Sequence, residues 1–216
     1  MNFIIDKILP QKKSKNRFSI FSKDEFIIGI SDRSLLQYNL HVGSEITQSL
    51  LTEIKKKEDL NTLQNAAFRF LARRQHSVHE LKRKLFTKTS DHQLIEQVIA
   101  YLLENNYLND NEFTAAFLNE EIKLKKSGSL LIKKKLLQKG VNAEIIGNLI
   151  SSNYSAEDQL QNCQNLAFKK LNTFKNIISI KQKKIKLVNY LKQKGYDWET
   201  CKQAVMSLNL GENDEE

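Results

Sequence analysis

The stretch AAFRFLARRQHSVHELKRKLF, Ala66 to Phe86, decides the fold, because it breaks in the middle into two helices of different character. It holds four of the chain's six arginines. In its first half Ala67, Phe70, Leu71 and Arg74 recur at helical spacing. Its second half opens on Ser77-Val78-His79-Glu80, where a serine hydroxyl and a glutamate three residues later can satisfy orphan backbone donors, so Ser77 is the expected N-cap of a new helix. That helix gathers Val78, Leu81, Leu85 and Phe86 on one face and turns Lys82, Arg83 and Lys84 toward the other. The layout recurs at Lys135 to Gly140 and at Tyr190 to Gly195, with offsets of 51 residues from the first copy to the second and 55 from the second to the third. Such spacing belongs to helical arrays and predicts three units of three short helices each.

Outward from this stretch, 40% apolar residues in 216 support packed helices rather than disorder. The net charge of +9 divides as +2 over residues 1–59, +5 over 60–153 and +2 over 154–216, which favours an acidic partner, either nucleic acid or a protein surface. Cys163 and Cys201 are far apart and lack metal-ligand spacing. Met1 to Pro10 is too short and too charged for an export signal, and no run reaches the roughly 20 apolar residues of a membrane span. A reduced, cytoplasmic chain is expected.

Residues 1–58 read as a small β-containing lobe. Phe3 to Ile5, Arg17 to Phe21 and Glu25 to Ile30 are short β-branched and aromatic runs, with a hairpin turn at Ser22-Lys23-Asp24. Ser31 caps a short helix through Tyr38, Leu40 to Ile46 is another strand, and Thr47 to Lys57 a helix that the triplet Lys55-Lys56-Lys57 ends. The first repeat, 59–108, is expected to have helices near 60–74, 78–87 and 91–105. The second, 109–153, opens on Asn109 with Glu112 reaching back, stops its first helix at Gly128, closes its second at Gly140 and caps its third with Asn142. The third, 154–210, runs from Ser155 to Phe174, restarts at a Ser179–Gln182 capping pair and again at Asp197. Residues 211–216 form an acidic tail.

No catalytic constellation is visible. The histidines are His41, His76, His79 and His92, and neither a glycine-rich phosphate loop nor a nucleophile motif is present. His76 and His79 straddle a helix start, and Glu80 is committed to capping, which disfavours a metal there. Ion pairing along the helix explains Glu120-Glu121 beside Lys123 and Lys125. A sequence-reading helix-turn-helix is disfavoured as well, because Lys133-Lys134-Lys135 would meet phosphates rather than base edges. What remains is a non-enzymatic basic array without cofactor or metal.

Residues 60–208 resemble the RecX regulatory proteins, bacterial modulators of the RecA recombinase. The likeness lies in Leu71, Arg73, Arg74, Ser77, Glu80, Leu81, Lys84 and Leu85, then in Leu108, Asp110 and Phe113. It continues in Gly128, Ile132, Leu136, Lys139, Gly140 and Val141, and in Leu191, Lys194, Gly195 and Tyr196. Thr114, Leu131 and Lys135 depart from the pattern, the last by a change of charge sign. The N-terminal lobe is similar to an extension that some members carry.

The resemblance implies a mainly α fold of tandem three-helix repeats in an elongated curved array. It further implies docking in the groove of the RecA–DNA filament, with suppressed ATP turnover and strand exchange. The residues expected to face that partner, or to hold single- and double-stranded DNA weakly, are Arg73, Arg74, Lys82, Arg83, Lys84, Lys125, Lys126, Lys133 and Lys134. A monomer is expected. The alternative is an autonomous nucleic-acid binder without sequence preference.

Overall fold

The computed structural model describes residues 2–12, 16–174 and 179–210. Its elements run β1 (Asn2–Ile4), β2 (Lys7–Pro10), β3 (Arg17–Ser22), β4 (Glu25–Ser31), α1 (Asp32–Gln37), β5 (Glu45–Thr47) and α2 (Gln48–Leu71). They continue through α3 (Val78–Leu85), α4 (His92–Glu104), α5 (Asp110–Lys123), α6 (Ser129–Gln138), α7 (Ala143–Asn153), α8 (Ala156–Leu171), α9 (Ile180–Gln193) and α10 (Trp198–Met206). The chain is mainly α with a small N-terminal β lobe. It divides into two compact units: one is the chain through Ala72 with Leu85–Ala100, the other Arg73–Lys84 with the chain from Tyr101 onward. The acidic tail lies outside the described residues.

In the first unit β2, β3 and β4 form an antiparallel meander, and β1 pairs antiparallel with β5. The β3–β4 turn is the expected one: Lys23 and Asp24 both take positive φ, +50° and +62°, as a two-residue turn matching strand twist requires. Ile20, Ile28 and Ile30 point inward with Ile5, Leu40 and Ile46, and close on Leu51 and Ile54 of α2. Ser31 caps α1, accepting from the Ser34 N–H.

The expected helix break near residue 58 is absent. Thr47 caps α2, and the helix runs unbroken for 24 residues, so Lys55, Lys56 and Lys57 stand in its middle and end nothing. Glu58 accounts for the continuity. It is buried, accepts hydrogen bonds from Ser31 N (3.0 Å), Ser31 Oγ (2.8 Å) and Ser34 Oγ (2.5 Å), and meets Arg17 Nη1 at 3.1 Å. A carboxylate bound from four directions ties helix and lobe together, outweighing the charge run that suggested an end.

The 51- and 55-residue offsets reappear as buried positions. Leu81, Ile132 and Leu187 are fully buried, as are Leu85, Leu136 and Leu191 and, in the third helices, Ile95, Ile146 and Cys201. Phe86, placed inward by the sequence, is 40% exposed and packs its ring edge on His92. Each such buried aliphatic side chain contributes about 1.5–3 kcal/mol.

Gly140 and Gly195 close α6 and α9 with φ of +75° and +89°. Val141 N–H reaches back to the Leu136 carbonyl and Tyr196 N–H to that of Leu191, the double return that satisfies a helix's last acceptors. Gly128 acts otherwise than expected. The left-handed residue after α5 is Lys126 (φ +52°), whereas Gly128 is extended (φ −74°) and serves as N-cap of α6. The Ser179–Gln182 pair does not form its cap either: α9 begins without a side-chain cap hydrogen bond from Ser179.

Candidate functional site

The second helices of the three repeats, α3, α6 and α9, carry the lysine-rich segments, and in the second unit they are joined end to end. At the start of α3, Ser77 Oγ accepts from Glu80 N–H (3.1 Å) and donates to the Lys139 carbonyl at the end of α6 (2.5 Å). Asp110, the first residue of α5, accepts from Val78 N–H at 2.9 Å. A Cβ on Gly140 would lie 2.3 Å from His79 Cβ, so only glycine lets the two helix ends meet.

The next junction repeats the arrangement with main-chain groups in place of the serine. Gly128 N–H donates to the Lys194 carbonyl (2.8 Å) and Leu130 N–H to the Gly195 carbonyl (3.0 Å). Helix starts have spare donors and helix ends spare acceptors, and here each set satisfies the other, with the positive end of one dipole on the negative end of the next. Tyr196 Oη completes the seam by donating to the Lys126 carbonyl at 2.7 Å.

Two carboxylates organise the charge around these seams. Glu80 receives Arg74 Nη1 at 2.9 Å and Lys139 Nζ at 2.7 Å. Burial alone would raise its pKa, but the hydrogen bonds and charges of Arg74 and Lys139 outweigh burial and hold it at about 2. Glu121, fully buried on α5, receives Lys125 Nζ (2.9 Å), Lys135 Nζ (2.6 Å) and Ser127 Oγ (2.7 Å). There too burial pushes upward and the three donors prevail, leaving the pKa lowered. Lys135, the residue of reversed sign, thus finds its partner inside the repeat.

The nine basic residues singled out by sequence therefore fall into different settings. Arg74 and Lys125 are engaged by Glu80 and by Glu120 with Glu121. Lys126 is half-buried, and its carbonyl holds Tyr196. Lys82 and Lys84 are half-buried on α3, and Arg73, Arg83, Lys133 and Lys134 are exposed. Arg73 lies in the turn after α2, Arg83 on α3, and Lys133 and Lys134 on α6. Of the expected capping pair the serine half forms, with Glu80 N–H on Ser77 Oγ, while the Glu80 carboxylate serves the seam instead of reaching back to Ser77. Sequence reasoning paired Glu121 with Lys125, as the structure does, but missed its reach to Lys135 and the meeting of Cys163 with Cys201 in one buried cluster. The isolated positions of those cysteines gave no signal, whereas the carboxylate among Lys123, Lys125 and Lys135 did.

Among the described residues no three or more His, Cys, Asp or Glu side chains group as a metal site, and no helix is long and apolar enough to cross a membrane. His76 is buried, its Nδ1 donating to the Arg74 carbonyl at 2.9 Å, and burial lowers its pKa with help from the Arg74 charge. It is a structural histidine.

Fold and surface together define a repeat protein of tandem three-helix modules with exposed cations on its second helices. Models for the Regulatory protein RecX N-terminal domain, the RecX first three-helix domain and the RecX third three-helix domain match residues 3–47, 64–102 and 157–205. A Regulatory protein RecX from Clostridioides difficile is 31% identical over 98% of this chain and 99% of its own length. One from Leuconostoc mesenteroides is 30% identical over 98% of this chain and 78% of its own length. A crystal structure of regulatory protein RecX superposes with a TM-score of 0.73 at 19% identity, covering 94% of this chain and 98% of that one. The chain belongs to the RecX family of regulatory proteins.

Proposed function

We propose that this protein regulates the RecA recombinase by binding the RecA–DNA filament, slowing ATP turnover and strand exchange without chemistry of its own. The supporting observation is the pairing of end-to-end second helices with exposed Arg83 on α3 and Lys133 and Lys134 on α6. Helices locked by backbone hydrogen bonds hold their cations at fixed spacing, so several weak contacts to acidic surface or phosphate add along the filament. Each contact is exposed and screened by salt.

The filament, rather than free DNA, is the partner in this reading, and the protein acts as a monomer in the cytoplasm. Purified protein is expected to slow RecA ATP hydrolysis on single-stranded DNA at low salt, with the effect fading as salt rises. Reversing charge at Arg83, Lys133 and Lys134 together should weaken inhibition while leaving the fold intact. Undiminished hydrolysis at saturating protein and low salt would overturn the proposal.

A further inference from the structure

The most lopsided charge in the chain lies in the third repeat, outside the residues considered so far. From Gln159 through Tyr196 there are nine lysines and no aspartate or glutamate. The modest net charge of residues 154–216 hides this, because the acids lie before Gln159 and after Tyr196. α9 alone carries Lys181, Lys183, Lys184, Lys186 and Lys192, with Lys194 just beyond it. Lys181, Lys184, Lys186 and Lys192 are all exposed. Lys181 and Lys192, eleven residues apart, stand on one side of the helix at a rise of about 16 Å.

Aromatic rings are interleaved with these ammonium groups. Trp198, the first residue of α10, is 57% exposed and has Lys192 Nζ 5.1 Å from its ring. On the other flank Lys170 and Lys194 stand 5.4 Å and 5.7 Å from the Tyr190 ring. The two carboxylates beside Trp198 are occupied: Asp197 caps α10 through Thr200 N (2.8 Å) and Oγ1 (2.9 Å), and Glu199 accepts from Gln203 (3.4 Å).

We infer that α9 and the start of α10 form a surface for single-stranded DNA, with Lys181, Lys184 and Lys192 tracking phosphates and Trp198 stacking on an unpaired base. A lysine row without arginine suits phosphate better than a protein partner, since protein interfaces are enriched in arginine and depleted in lysine. The exposed indole selects unpaired over paired strands, because a duplex offers no free base face. This inference stands apart from the filament reading, since it requires no recombinase.

Trp198 is the chain's single tryptophan and therefore reports its own contact. The test titrates the full-length protein, without recombinase, with an oligo-dT strand and with a duplex of equal length, following tryptophan emission and the anisotropy of labelled DNA. Oligo-dT is expected to quench emission, and the duplex to bind more weakly with little quenching. Trp198→Ala should weaken single-strand binding by about 5- to 150-fold, the range for one stacked base. Lys181→Gln, Lys184→Gln and Lys192→Gln together should reduce the slope of log affinity against log salt by about 2, with circular dichroism unchanged. Unquenched emission at saturating oligo-dT, equal binding of the duplex, an unchanged slope in the triple variant, or equal quenching by poly-glutamate would each overturn the inference. Recombinase inhibition surviving these variants would leave the proposed function standing alone.

Discussion

Gly128→Ala probes the seam between the second and third repeats. A Cβ there would lie 2.3 Å from the Gly195 carbonyl oxygen, 2.4 Å from its carbon and 2.5 Å from the Tyr196 nitrogen. Ordinary contact begins at 3.4 Å, so the two backbones must part by about 1 Å, and all three obstructing atoms are main chain that cannot swing aside. Parting that far takes the Gly128–Lys194 and Leu130–Gly195 hydrogen bonds, now 2.8 Å and 3.0 Å, out of bonding range. Two lost bonds at about 1 kcal/mol each, plus the cost of leaving part of that polar backbone unsatisfied, give about 2–4 kcal/mol of destabilisation. Gly147→Ala in α7 is the control. Its Cβ would meet nothing within 4 Å, and replacing a mid-helix glycine should stabilise by about 0.5–1 kcal/mol. Urea unfolding followed by circular dichroism compares the two. A Gly128→Ala protein within about 0.5 kcal/mol of the parent, with Gly147→Ala behaving as stated, would refute the steric argument.

Three further expectations follow from buried polar groups. Glu80, held at about 2, titrates below its unfolded value, so its contribution is complete above about pH 5 and declines as pH falls toward 2. Glu80→Gln should flatten the stability–pH curve over that window, and parallel slopes for variant and parent from pH 5 to 3 would count against the Arg74–Glu80–Lys139 network. Thr114 is buried, and among the described residues its Oγ1 meets no hydrogen-bond partner. Thr114→Val should therefore raise stability by about 1 kcal/mol in denaturant unfolding, and a loss of stability would show that the hydroxyl is satisfied. Glu58→Ala leaves Arg17 facing an emptied site and should cost about 3 kcal/mol, read by denaturant unfolding and by faster proteolysis of the β lobe; unchanged cleavage would argue that other contacts hold lobe and helix together.

The repeat was legible because it is written in aliphatic residues at fixed offsets: Leu81, Ile132 and Leu187 needed only counting. Caps at Ser31, Asn109, Asn142 and Asp197 were equally plain, since each is a short polar side chain ahead of an amphipathic run. Long-range pairing was not legible. The lysines at 55–57 look like a helix end until Glu58 is seen gripped by Ser31, Ser34 and Arg17, residues 24 to 41 positions away. Gly128 looks like a helix stop until the Gly195 backbone is found against it. Among the basic residues, local charge could not tell exposed Arg83 from Arg74, whose guanidinium lies on Glu80. Of the residues that carried the family resemblance, Ser77, Glu80, Asp110, Gly128, Lys139, Gly140, Lys194, Gly195 and Tyr196 are seam residues. The recognisable pattern thus marks how repeats join more than what they touch.

The seams also have a polarity. Every junction sets the start of one second helix on the finish of the following one, so a module uses two different ends and never pairs with itself. Tandem duplication of such a gene segment would bring both halves of a new joint already made, and the protein could lengthen by copying, without inventing a contact.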